Sequence, residues 1–234
     1  MHRFYGHGIP GVDPKLLTGK LIVIEGADGS GRSTQISRLT TWLEAAGYPT
    51  VRVGLRQSAL VSPELEKARQ GNILSPRTMC LFYATDFADQ LEKAIIPALK
   101  AGFVVLADRY IYTLIARELV RGLEEEWLEN IFGIAIVPDA VFYLDVPPEE
   151  LLQRTLAKYT ALDYWESGMD LGLSRDIYTS FLKYQALMRK AFQRLQKKYG
   201  FIMIDGTLSI PKISQELKKR ISQLLLKPPL PMAH

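Results

Sequence analysis

Gly26-Ala27-Asp28-Gly29-Ser30-Gly31-Arg32-Ser33-Thr34 directly follows Leu21-Ile-Val-Ile-Glu25 and opens a segment in which Ile36, Leu39, Leu43 and Ala46 recur at helical spacing and stop at Gly47. A strand that turns into a helix through three glycines curls its backbone N–H groups around one concavity, and the helix start adds partial positive charge there. The spacing matches G-x-x-x-x-G-K-[ST], a loop that cradles phosphates and offers a hydroxyl to Mg²⁺, except that Arg32 stands where lysine is usual. Arginine keeps the positive charge but carries it on a bulkier planar fork. Strand, loop and helix together point to phosphate binding; the plainer alternative is a glycine-rich turn with no ligand.

Four more β-rich apolar runs follow: Thr50–Val53, Phe103–Ala107, Val141–Leu144 and Phe201–Ile204. Each is continuous rather than alternating, as in strands covered on both faces. The segments between them read as helices. Tyr83, Phe87, Leu91, Ala94 and Ala98 keep helical spacing up to Gly102, and Val146-Pro-Pro-Glu-Glu150 places proline and then acids in a first helical turn. Five strands alternating with helices predict an α/β protein with a five-stranded parallel sheet flanked by helices on both faces, the P-loop NTPase fold. One domain is expected over residues 19–226. Residues 1–18, with Gly6, Gly8, Pro10, Gly11 and Pro14, read as an irregular N-terminal arm, and residues 227–234 as a C-terminal tail.

The composition narrows the function classes. The 234 residues are 47% hydrophobic and 23% charged with net charge +4, which suits a globular protein handling small anions and is too weak and scattered for a nucleic-acid partner. Cys80 is the single cysteine, so a disulfide framework and a CxxC metal or redox pair are excluded and a reducing compartment is the simplest reading. No signal-peptide core or membrane span is evident, so a cytoplasmic location is expected.

Asp108-Arg109 follows the apolar run Phe103–Ala107, placing an anion and a cation at the carboxyl edge of the sheet, where such folds bind ligands. A simple ion pair at a strand end is the alternative. From Arg154 to about Arg175, glycines flank polar and aromatic residues (Lys158, Asp163, Tyr164, Trp165, Glu166, Gly168, Asp170, Gly172), a composition suited either to a mobile lid or to an ordinary surface connection.

Taken in order, these segments resemble the thymidylate kinase family from about Gly19 to Leu226. The loop is similar to the family's E-G-x-D-G-S-G-K-[ST]-T-Q, Leu81-Phe-Tyr-Ala84 resembles its thymine-stacking helix, Asp108-Arg109-Tyr110 its D-R-[YF] motif, and Pro138–Val146 with Glu149, Glu150 and Arg154 the strand and helix before its lid. The resemblance implies a kinase that moves the γ-phosphoryl group of ATP, with Mg²⁺, to a nucleoside monophosphate, most readily dTMP. It implies that Gly26–Thr34 holds ATP, that Ser33 and Asp108 hold the metal, and that Arg32, Asp108, Arg109 and Arg154 serve transfer, with Lys158 and Arg175 as further lid cations. Asp28 would lie beside the acceptor sugar, Arg109 would clamp the acceptor phosphate and Phe82 would stack on the base, with Arg56, Asp86 and Tyr112 completing the acceptor side.

Besides Arg32, three features on the acceptor side depart from the pattern: Asp86 replaces an arginine, Gly54-Leu-Arg-Gln-Ser58 replaces an arginine-glutamate-proline-glycine loop, and Arg117 replaces the aromatic residue beside the sugar. A nucleotide-gated interaction protein with little transfer, or a deoxynucleoside kinase, are the competing readings. A homodimer through the helices near Cys80–Leu99 is a further implication of the resemblance.

Overall fold

A computed structural model describes residues 2–71 and 74–226; the tail expected at 227–234 lies outside the described residues. Five strands, β1 (Lys20–Gly26), β2 (Thr50–Gly54), β3 (Val104–Asp108), β4 (Ala140–Asp145) and β5 (Ile202–Asp205), form one parallel sheet in the order β2-β3-β1-β4-β5. The helices are α1 (Arg32–Ala45), α2 (Ser62–Gly71), α3 (Pro76–Gln90), α4 (Ile96–Lys100), α5 (Ile111–Val120), α6 (Glu125–Ile131), α7 (Pro148–Lys158), α8 (Ile177–Tyr199) and α9 (Ile210–Leu225). The parallel sheet with helices on both faces is the fold expected from the sequence.

The central strand shows why its sequence is apolar without a break. Leu21 and Val23 enter the cluster beneath α3, α5 and α8, whereas Ile22 and Ile24 enter the cluster beneath α1 and α9. All four are fully buried. A side chain that alternates between two covered faces leaves no position for a polar residue.

Ser75 caps α3 by accepting a hydrogen bond from the Thr78 amide, with Pro76 at the first helical position. The helix runs on through one wide π turn, Leu91–Ile95, into α4. Pro97 has no N–H for the carbonyl four residues back, and a widened turn ahead of it absorbs the missing bond. Between α7 and α8, residues 159–176 contain only a short 3₁₀ turn at Met169–Leu171.

Residues 2–18 lie against the domain. Phe4 forms a β-bridge with Ile136, and the Tyr5 amide donates to the Ala135 carbonyl at 2.9 Å. Tyr5 meets Tyr112 and Tyr199 edge-on, and its hydroxyl shares a hydrogen bond of 2.5 Å with that of Tyr112. Tyr112 is fully buried and packs its ring on Phe201, 4.7 Å between centroids. Tyr112→Phe keeps that packing and removes one hydrogen bond; urea denaturation is expected to show a loss of about 1 kcal/mol, and an unchanged midpoint would contradict the pairing.

Candidate phosphate and acceptor site

The turn after β1 takes its shape from its glycines. Gly29 and Gly31 have φ of 82° and 94°, and a Cβ on Gly26 would meet Ser30 Oγ at 2.7 Å and the Leu144 carbonyl at 3.1 Å. No side chain caps α1 at Gly31, so the first-turn amides of Arg32, Ser33 and Thr34 face the cavity without intrahelical partners. This is a concave set of N–H donors at a positive helix end, which fits a polyphosphate.

The β1–β3 pairing brings a second set of groups to it. Ile24 lies level with Asp108, the last residue of β3. Asp108 accepts hydrogen bonds from Ser33 Oγ at 3.0 Å and Arg32 Nε at 2.8 Å. Arg32 also donates to the carbonyls of Gly26 and Ala27, and reaches Asp28 Oδ1 at 3.3 Å. The substituted arginine is thus folded into the loop, 8% exposed.

Arg109 faces Asp28 across the loop, with Nη2 2.7 Å from Asp28 Oδ1. It is a non-glycine residue at φ 71°, a strained position that persists only where neighbours enforce it. The enforcing group is Glu25, fully buried, which accepts from the Tyr110 amide at 2.9 Å, the Thr113 amide at 3.2 Å and Thr113 Oγ1 at 2.6 Å. Arg109 Nε is buried with no hydrogen-bond partner among the described residues. Arg117 from α5 pairs with Glu166 from the segment after α7.

Burial disfavours ionisation of Asp28, but Arg109 and Arg32 outweigh it and hold the carboxyl well below its usual range. Burial pushes Glu166 the other way, above the usual carboxylate range, with Arg117 opposing and Asp28 assisting.

Two cavities meet here. One of about 690 Å³ is lined by the loop, by Arg56, and by Arg154 and Lys158 of α7. The other, about 160 Å³, lies between α3, α5, α8 and the segment after α7, and is walled by Met79, Tyr83, Glu118, Arg121, Trp165 and Asp170. Arg69 and Glu166 line both.

Ala27–Gly29, Gly31–Thr34, Arg56 and Arg154 line the larger cleft, and Asp108 and Arg109 join it through their contacts with Arg32, Ser33 and Asp28, Arg109 itself lining two adjoining hollows. Three residues expected at the acceptor do not reach it. Tyr112 is enclosed in the aromatic cluster under the arm, bonded to Tyr5. Phe82 packs on the core, and the helix phase that buries Met79 and Tyr83 turns those two toward the smaller cavity instead. Asp86 is fully buried as a brace, accepting from the amides of Arg56 and Ser58, Ser62 Oγ and Gln90 Nε2. Arg175 does not line the cleft among the described residues, whereas Arg69, Arg121 and Asp170 line the smaller cavity. They come from separate elements, and the sequence held no local sign of their meeting. Glu118 had one weak sign, as the single acid in the strongly apolar α5.

A phosphate-cradling loop opposite a buried cation clamp, at the carboxyl edge of a parallel sheet, defines a P-loop phosphotransferase site. The thymidylate kinase family profile matches residues 24–217. A probable thymidylate kinase 2 of Saccharolobus solfataricus is 33% identical over 210 residues, covering 89% of this chain and 98% of the relative. A thymidylate kinase of Halothermothrix orenii is 30% identical, with 90% and 100% covered, and a probable thymidylate kinase of Thermococcus kodakarensis 37% identical, with 69% and 82% covered. The chain belongs to the thymidylate kinase family. Among the described residues, no helix is long and apolar enough to cross a membrane.

Asp86→Ala would leave four donors around the loop after β2 without their acceptor. A destabilisation of about 3 kcal/mol is expected in chemical denaturation, and a near-neutral result would show that Asp86 does not hold that loop.

Proposed function

We propose that the protein transfers the γ-phosphoryl group of ATP to dTMP, giving dTDP and ADP. The observation that carries this reading is Arg109, whose guanidinium pairs with Asp28 of the phosphate loop while its buried Nε has no partner among the described residues. A buried guanidinium with an unused donor suits a phosphate oxygen, for which a charge-assisted contact is strong.

The residues divide into a donor and an acceptor side. The first-turn amides of α1 would hold the ATP phosphates, and Arg154 and Lys158 line the same cavity from α7. Ser33 Oγ and Asp108 Oδ2, 3.0 Å apart, form a small all-oxygen pair suited to Mg²⁺, which keeps several waters and binds few protein groups. Bound there, Mg²⁺ would supply neutralisation of phosphate charge. Arg109 would hold the acceptor phosphate so that one of its oxygens meets the γ-phosphorus in line. That oxygen is already anionic, so positioning and charge neutralisation suffice and no general base is assigned.

Coupled ADP release measured over the common ribo- and deoxynucleoside monophosphates tests the reading directly: dTMP- and Mg²⁺-dependent release is expected, and no release with any acceptor would refute transfer. Arg109→Ala is expected to raise KM for the monophosphate about 10- to 100-fold, the equivalent of a lost charge-assisted contact of about 1.5–3 kcal/mol, with ATP binding little changed. Equal loss on both sides would reject the acceptor role.

The enzyme is read as a cytoplasmic homodimer, consistent with a buried free Cys80 and with Leu81, 48% exposed on the outer face of α3. Light scattering is expected to give twice the 26.4 kDa chain mass, and Leu81→Glu to shift it toward the single chain.

A further inference from the structure

Glu118 has no role in the phosphate chemistry, yet it is 4% exposed and its Oε2 is buried with no hydrogen-bond partner among the described residues. A buried carboxyl oxygen left unmatched is costly and points to a partner that arrives later. Glu118 lines the smaller cavity together with Tyr83 on α3 and Trp165 on the segment after α7. The neighbouring cations do not satisfy it. Arg121 is committed to Asp170 at 2.8 and 3.2 Å, and Arg117 to Glu166.

We infer that Glu118 reads the nucleobase of the acceptor, binding the imide edge of thymine in the cavity walled by Tyr83 and Trp165. The inference rests on the monophosphate-kinase reading for the presence of a nucleotide, and adds which group recognises its base. A neutral carboxyl offers one O–H donor and one carbonyl acceptor side by side, which matches the carbonyl and ring N–H of an imide. An ionised carboxylate offers acceptors only and matches instead an edge with two adjacent donors, as in guanine.

The protonation state is set by groups from every element around it. Burial is the largest influence and raises Glu118; Arg121, just past the end of α5, and Arg117 of α5 oppose this and Asp170 reinforces it, leaving the carboxyl pushed up to about 7. Arg69 of α2, Glu166 after α7 and Tyr184 of α8 line the same cavity, and Cys80 of α3 feels the Glu118 charge. The neutral form therefore prevails below that value and is lost as pH rises through it.

The test is calorimetric binding of dTMP and dGMP at pH 6 and pH 8 to the wild-type chain, Glu118→Gln and Glu118→Ala. Glu118→Gln keeps one donor and one acceptor but cannot ionise. For a group near 7, the neutral fraction falls from about nine-tenths to about one-tenth over this range, so the wild-type dTMP Kd should rise about 10-fold more than that of Glu118→Gln. The phosphate's own titration is common to both proteins and cancels in the ratio. At pH 8 the wild-type preference for dTMP over dGMP should shrink, and Glu118→Ala should bind dTMP about 10-fold more weakly at pH 6.

Equal pH dependence in wild type and Glu118→Gln overturns the assignment, as does Glu118→Ala binding within twofold of wild type. Absence of dTMP binding to the wild-type chain overturns it too. Should Glu118→Ala fail to fold, the wild-type and glutamine comparison carries the test alone. Binding with the stated dependence but no ADP release supports the base-reading role and overturns only the transfer reading.

Discussion

Asp28 holds the site together because two guanidiniums converge on it: Arg109 at 2.7 Å from one side and Arg32 at 3.3 Å from within the loop. Arg32 extends to Asp108, and Arg117 pairs with Glu166, so three arginines face three acids in one small volume. Each ion is matched, which is how buried charge becomes tolerable. Under the proposed function, a phosphate would enter a field already balanced and compete with Asp28 and Glu166 for these guanidiniums. Arg109 Nε is the donor left over by that balance.

The arrangement depends on register as much as on charge. β1 lies between β3 and β4, and its pairing puts Ile24 beside Asp108 and Phe142. The loops that follow β1 and β3 consequently leave the sheet from the same edge. Glu25, one residue past that level, takes three hydrogen bonds from Tyr110 and Thr113. Those bonds fix the start of α5 and force Arg109 into its positive-φ conformation between strand and helix. Arginine is strained in that backbone conformation, and the strained residue is the one whose side chain pairs with Asp28.

The features legible in the sequence are the local ones. The loop announces itself through three glycines between a strand and a helix, and Asp108-Arg109 through its place after an apolar run. The smaller cavity is harder to read from the sequence, because it is assembled from α2, α3, α5, α8 and the segment after α7. Phe82 and Tyr83 are adjacent, and only packing decides which ring faces the cavity, since one step around a helix is about 100°. Asp86 reads as an ordinary polar residue at a binding face until its four donors are seen. The glycines and prolines of residues 1–18 predict an irregular arm but say nothing of where it lies; Phe4 and Tyr5 seat it on Ile136, Tyr112 and Tyr199.

Arg32 is where the chain departs from the usual loop, and its surroundings show what an arginine does there. Two carbonyls and two carboxylates ring the guanidinium. A planar fork with five N–H donors can engage four acceptors in different directions, whereas an ammonium has three donors on one nitrogen. Arginine therefore stitches the loop to β3, and its charge is spent on Asp28 and Asp108 rather than held out over the cleft. Arg154 and Lys158 of α7 line the same cavity as the loop. Arg154 is itself anchored to Glu150 and the Gly206 carbonyl. In this protein the role of a free loop cation is thus divided: one guanidinium organises the loop, and α7 supplies the positive charge facing the cavity.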